Sequence, residues 1–248
     1  MRDFFTGIYY FFSGLRSLNK KGLRRFVVMP VIFNLFVYGA IAYLGYHYLS
    51  PWADYYISKL PHWLSFLSVV FTILFFLLFI LFFLTTFSVL ANLFAAPFNG
   101  LLAERAQKIL QNASIPERGF GKAVIQSIKR QGQFIAYYVP RLLLMCFLFF
   151  LPPFHPMLPF LWFVFNAWIL SIQYQDFVMD NNLIDFKTMR SMISNNKSLS
   201  LGFGFAASLL SFVPFMNLLV MPAAVIGATN MFYLKIYSKI RQNSKNRL

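Results

Sequence analysis

Residues 26–49 read FVVMPVIFNLFVYGAIAYLGYHYL, 24 positions without a formal charge. At about 1.5 Å of rise per residue, a helix of this length spans a hydrocarbon core of ~30 Å. The next charge-free stretch, 63–103, runs for 41 residues, roughly twice what one crossing needs. A long spanning helix is expected over 63–98, continued or kinked between Asn92 and Asn99, where Pro97 removes a backbone donor. The connector between the two stretches holds Pro51, Asp54, Lys59 and Pro61. Trp52, Tyr55, Tyr56 and Trp63 stand beside it as interface anchors.

Composition agrees with this reading. Of 248 residues, 59% are hydrophobic and 12% charged, about half the charged fraction of an ordinary soluble domain. Phe alone supplies 33 residues, and a soluble fold of this size has too few ionisable groups to cover so much apolar surface. The expected fold is therefore an all-α integral membrane protein in one domain, with the lipid bilayer as its first partner.

The later chain has shorter apolar runs. Residues 104–141 are polar, and Phe120, Val124, Ile125 and Ile128 recur there at helical spacing, as in an amphipathic helix on a membrane surface. Leu142–Leu151 is a limb of 10 apolar residues that ends in Pro152-Pro153-Phe154-His155-Pro156, and a limb of 15 residues, Phe160–Tyr174, follows. Adding Phe134–Val139 would lengthen the first limb but would place Pro140 and Arg141 inside it. A second pair, Leu199–Val213 and Leu218–Leu234, is broken at Pro214-Phe-Met-Asn217 and contains Pro222. Each limb is shorter than the ~20 residues of a full crossing. The spacing predicts helical hairpins over 142–174 and 199–234, either ordinary tight hairpins or pairs that enter the membrane and return.

Charge sets the orientation. Residues 1–25 carry six basic and one acidic residue, 99–141 seven and two, and the tail from Lys235 five and none. The positive-inside rule puts both termini and the central polar region in the cytoplasm. The net charge of +15 lies in these loops and not along a helical stripe, so nucleic acid is not an expected partner. The first residues lack the pattern of a cleaved signal peptide.

No enzyme signature is present in the sequence, and no cofactor or metal is expected. The histidines His47, His62 and His155 stand alone, and Cys146 is the only cysteine. Asp176, Asp180 and Asp185 read as a solvated helix face paired with Lys187 and Arg190, in preference to a cation site. Asn34 and Asn92, within apolar runs, read as amides bonded between helices.

Two stretches could carry chemistry. Lys20-Lys21-Gly22-Leu23-Arg24-Arg25 precedes the first span, where a helix start points its N–H groups and dipole toward the loop. Gly22 admits close backbone approach, and Arg24 and Arg25 offer planar donor forks suited to oxyanions. From these residues alone, an anion site and the basic flank that topology demands both remain open. Glu104 and Arg105, in Ala96-Pro-Phe-Asn-Gly-Leu-Leu-Ala-Glu104-Arg105, read either as a charged network at the cytoplasmic mouth of a pore or as a helix-surface pair, Glu104 with Lys108.

The chain resembles the CysZ family of bacterial sulfate transporters. The resemblance rests on Gly22-Leu-Arg-Arg-Phe-Val with Pro30 and Asn34, on Ala96–Glu104 and on Tyr138-Val-Pro-Arg141. It continues through Trp162–Trp168, Ile172-Gln-Tyr-Gln-Asp176 with Asp180-Asn181, Phe186–Arg190, Pro214–Leu218, Met221-Pro222 and Gly227-Ala-Thr229. Each fragment is weak alone; their order and coverage make the match specific. The resemblance implies two long transmembrane helices, two partially inserted helical hairpins and a homo-oligomer in the bacterial inner membrane. It also implies a channel-like permease that admits sulfate for cysteine synthesis. The family's glycine–hydrophobe–arginine sulfate motif carries over onto Gly22, Leu23, Arg24 and Arg25. Lys21 stands where the family often has proline. The rival readings are a proton- or sodium-coupled transporter, with Glu104 as coupling carboxylate, and a non-transporting membrane scaffold.

Overall fold

The computed structural model describes residues 2–25, 98–116, 119–213 and 217–238 as continuous runs, with single positions and short runs between 28 and 78. The described residues are helical, with turns and short loops and no strand among them. They fall into two compact units, one of Met1–Val27 with Ala96–Leu248 and the other of Val28–Ala95.

In the second unit every described position is helical except the turn residue Lys59. Its apolar side chains face outward: Ile32, Phe36, Val69, Ile73 and Leu77 are each at least 60% exposed. In the connector, Lys59 donates to the Tyr55 hydroxyl at 2.6 Å and lies over the Tyr55 ring. Asn34, Asn92 and Pro97, singled out in the sequence, lie outside the described residues.

The first unit is built around α1 (Arg2–Ser17), which packs against α6 (Lys197–Ser211) and α7 (Asn217–Met231). Small residues let these helices approach closely. A Cβ at Gly14 would stand 2.5 Å from the Gly227 nitrogen and nearer still to the Ala223 carbonyl oxygen; one at Gly7 would stand 2.6 Å from the Phe203 nitrogen. Phe11, Phe203 and Phe232 are fully buried at the crossing, with Phe11 and Phe203 edge to face at 5.9 Å. The described helix 98–111, α2, adds Leu102, Ala103 and Ala106 to the same core.

Helix α3 (Phe120–Leu148) runs 29 residues without a break, from the polar region into the apolar limb, with Pro140 inside it. Pro140 cannot donate to the carbonyl one turn back, and Arg141 Nη1 donates to the neighbouring Tyr137 carbonyl at 2.7 Å. Ile125, Ile128, Leu143, Leu144 and Phe147 on α3 are exposed. A 3₁₀ turn, Pro152–Met157, leads into α4 (Leu158–Asn181), 24 residues where the apolar run alone gives 15. The helix continues past Tyr174 because Gln175 and Asp176 are buried with partners: Gln175 Nε2 donates to Ser171 Oγ at 2.7 Å, and Arg130 meets Asp176. Beyond α5 (Phe186–Asn195) and α6, α7 carries Pro222 within it and passes into a π-helical turn, Phe232–Tyr237. Pro152–Asn181 and Leu219–Tyr237 are long and apolar enough to cross a membrane.

One sequence expectation is overturned. Asp176 and Asp180 are not a solvated face paired with Lys187 and Arg190. Arg130 Nε contacts Asp176 Oδ1 at 2.7 Å and lies 3.9 Å from Asp180 Oδ1, in a setting where Arg130 is 5% exposed. The partner comes from α3, a helix 46 residues away in sequence, which periodicity within α4 cannot reveal. Asp185 instead caps α5, accepting the Thr188 amide at 2.9 Å. Hydrogen bonding from Thr188, side chain first and backbone second, lowers its pKa.

Candidate functional site

Residues 18–25 form the turn between α1 and the start of the next helix. The Lys20 amide donates to the Ser17 carbonyl at 3.1 Å, closing α1. Gly22 has φ +94°, in the left-handed region open to glycine and strained for other residues. A Cβ there would also meet Ile109 Cδ1 at 2.9 Å, so α2 backs the turn directly. Leu23 is fully buried, in one core with Leu102, Ala103 and Ala106. Glycine thus turns the chain and leucine fixes it to the unit. Arg24 and Arg25, at the helix start, are exposed.

The turn differs from the sequence expectation in its backbone donors. The amides of Leu23 and Arg24 both point to the Lys20 carbonyl, at 3.1 and 3.4 Å. A tight turn satisfies its own N–H groups in this way. The exposed charge at the turn is therefore side-chain charge, from Lys20, Lys21, Arg24 and Arg25, held by one buried leucine.

Glu104 and Arg105 lie on α2. Lys108 Nζ reaches Glu104 Oε1 at 2.6 Å, a partly exposed pair one helical turn apart. Arg105 is exposed. It precedes Ile109 by four positions, so it shares the helix face that meets Gly22, one turn away. Glu104 is thus engaged within its own helix, and Arg105 is the member of the pair that shares a face with the contact to the turn. Among the described residues no cluster of three or more His, Cys, Asp or Glu side chains could hold a metal ion.

Sequence reasoning missed two polar networks inside the unit. One is the Arg130–Asp176–Asp180 cluster. The other joins α2, the turn that closes α4 and the π-helical turn: Gln107 Oε1 accepts from Asn182 Nδ2 at 2.7 Å and from the Tyr233 hydroxyl at 2.9 Å. The available signal was polar residues within or beside apolar runs, which need partners in a low-dielectric interior.

The family model described as "Sulfate transporter CysZ/Etoposide-induced protein 2.4" matches residues 10–222. The chain belongs to this family. A protein called "Sulfate transporter CysZ" from Pectobacterium atrosepticum is 39% identical over 231 residues, 92% of this chain and 84% of that protein. Its namesakes from Salmonella typhimurium and Salmonella typhi are 38% identical over the same length, covering 92% of this chain and 91% of theirs. The CysZ match encloses both the Gly22–Arg25 turn and the Glu104–Arg105 segment.

Proposed function

We propose that the chain is a channel-like permease that carries sulfate across the bacterial inner membrane into the cytoplasm, supplying cysteine synthesis. The observation that carries this reading is the pair of exposed arginines on a turn whose glycine is left-handed and whose leucine is wholly buried. Sulfate is a strongly hydrated dianion, and leaving water requires donors and positive charge already in position. Arg24 and Arg25 present planar forks that match its oxygens. The turn fixes where those forks begin. CysZ relatives that bear the name of a sulfate transporter supply the substrate.

Membrane integration follows from the same chemistry. Apolar side chains such as Phe36, Ile73, Leu144 and Phe147 are exposed on helices that satisfy their own backbone groups, an arrangement that suits lipid. In this reading the segments 26–49 and 63–98 cross the bilayer, 142–174 and 199–234 are partially inserted hairpins, and both termini face the cytoplasm. The chain acts as a homo-oligomer and catalyses no covalent reaction. Glu104 is paired with Lys108, which weakens its case as the coupling carboxylate of an ion-driven transporter.

The test is equilibrium binding of radiolabelled sulfate to the purified chain, with Arg24→Ala/Arg25→Ala as comparison. Saturable binding that falls at least tenfold in the double variant is expected, with unchanged membrane insertion. Binding unaltered by the two substitutions would reject the assigned site.

A further inference from the structure

We propose that Gln107 and Gln111 position the sulfate turn: their bonds on one face of α2 hold the opposite face of that helix against Gly22, and so set where Arg24 and Arg25 stand. The inference rests on the sulfate reading above and deepens it. Gln107 is fully buried, and its Oε1 accepts from Asn182 Nδ2 at 2.7 Å and from the Tyr233 hydroxyl at 2.9 Å. One turn on, Gln111 Nε2 donates to Asn230 Oδ1 at 2.9 Å, and Asn230 Nδ2 donates to Ser13 Oγ of α1 at 3.2 Å. Near the start of the helix, Asn181 Nδ2 donates to the Gly100 carbonyl at 2.9 Å.

Gln107 and Gln111, four positions apart, share one helix face. Ile109 stands between them in sequence, about 200° round the helix from Gln107 at 3.6 residues per turn, and it is the residue that meets Gly22. Helix α2 is thus tied on one side and backs the turn with the other. The backing is tight, since a Cβ at Gly22 would stand 2.9 Å from Ile109 Cδ1. A small shift of α2 therefore reaches the turn directly. Arg24 and Arg25 follow Gly22 by two and three positions, and their exposed side chains start wherever that backbone is set. Gln107 Nε2 is buried with no partner among the described residues, so an apolar residue at 107 would relieve one cost while adding another. The Tyr233 hydroxyl gives the cleaner cut. It stands 3.0 Å from Asn182 Oδ1 as well, so Tyr233→Phe withdraws a donor from the Gln107–Asn182 pair and leaves both amides in place.

The experiment is equilibrium dialysis of radiolabelled sulfate against the purified full-length chain in detergent, with a melting curve for each variant. Tyr233→Phe and Gln111→Met, which cut the two ties separately, should each raise the Kd for sulfate about threefold or more. Ser208→Ala is the control, since it removes a bond of the same kind between α4 and α6, from Asn166 Nδ2 at 2.8 Å. It should lower the melting temperature and leave the Kd unchanged. Ile109→Val drops the Cδ1 atom that meets Gly22. In that background neither Tyr233→Phe nor Gln111→Met should alter the Kd further, the mark of an effect carried through this contact. An unchanged Kd in either substitution, an equal rise in Ser208→Ala, or a full effect of either substitution in the Ile109→Val background overturns the inference and leaves the proposed function standing. A wild-type chain that binds no sulfate overturns both.

Discussion

Gly22 is the residue whose backbone no other amino acid adopts without strain. With φ at +94° and Ile109 Cδ1 2.9 Å from where a Cβ would stand, Gly22→Ala should lower stability by about 1–2 kcal/mol. It should also weaken sulfate binding, because the turn positions Arg24 and Arg25; isothermal titration beside a melting curve separates the two effects. Asp185 carries a pH prediction. Its folded pKa is depressed by Thr188, so the cap contributes in full above the unfolded aspartate value near ~3.9 and is lost as pH falls through the lower folded value. Compared with Asp185→Asn, which still caps but does not titrate, the wild type should lose relative melting temperature only below about pH 4. An advantage that grows on acidification would contradict this. The turn itself was legible in the sequence, since glycine, a hydrophobe and two arginines at a helix start name their own roles. The direction of the Leu23 and Arg24 amides was not, because only the folded turn brings the Lys20 carbonyl beneath them.

Helices in the first unit meet through backbone approach and buried ion pairs, and each makes its own prediction. Gly14→Ala inserts a methyl 2.5 Å from a backbone nitrogen of α7, which a flexible side chain cannot relieve. Destabilisation on the order of 1–3 kcal/mol is expected, read as a lower melting temperature or yield. Arg130→Leu strands the Asp176 carboxylate in a buried setting and should cost about 3–5 kcal/mol, whereas Arg130→Leu with Asp176→Leu should recover much of the loss. Equal damage in single and double variants would show that the pair is not coupled. Apolar run lengths located the helices on either side of Pro152–Met157. They understate α4 by stopping at Tyr174, because a polar residue ends an apolar run even where burial with a partner lets the helix continue. They likewise divide α3 at Pro140 and Arg141, although the helix runs through both without a break.

At the scale of the whole molecule, the chain is basic, rich in phenylalanine and helical throughout its described residues apart from turns and short loops. Composition, with 59% hydrophobic and 12% charged residues, agrees with the apolar side chains that the described helices leave exposed. What composition does not carry is long-range pairing, which is why the arginine–aspartate cluster and the Gln107–Asn182–Tyr233 network emerge only in three dimensions. The central claim is that sulfate enters by way of Arg24 and Arg25. Uptake of radiolabelled sulfate into sealed proteoliposomes tests it most directly, with wild type and Arg24→Ala/Arg25→Ala reconstituted at equal density and no ion gradient imposed. The account predicts saturable uptake by the wild type, inhibited by selenate, and a loss of at least tenfold in the double variant. Equal uptake by the two proteins, or wild-type uptake no faster than through empty liposomes, would contradict it.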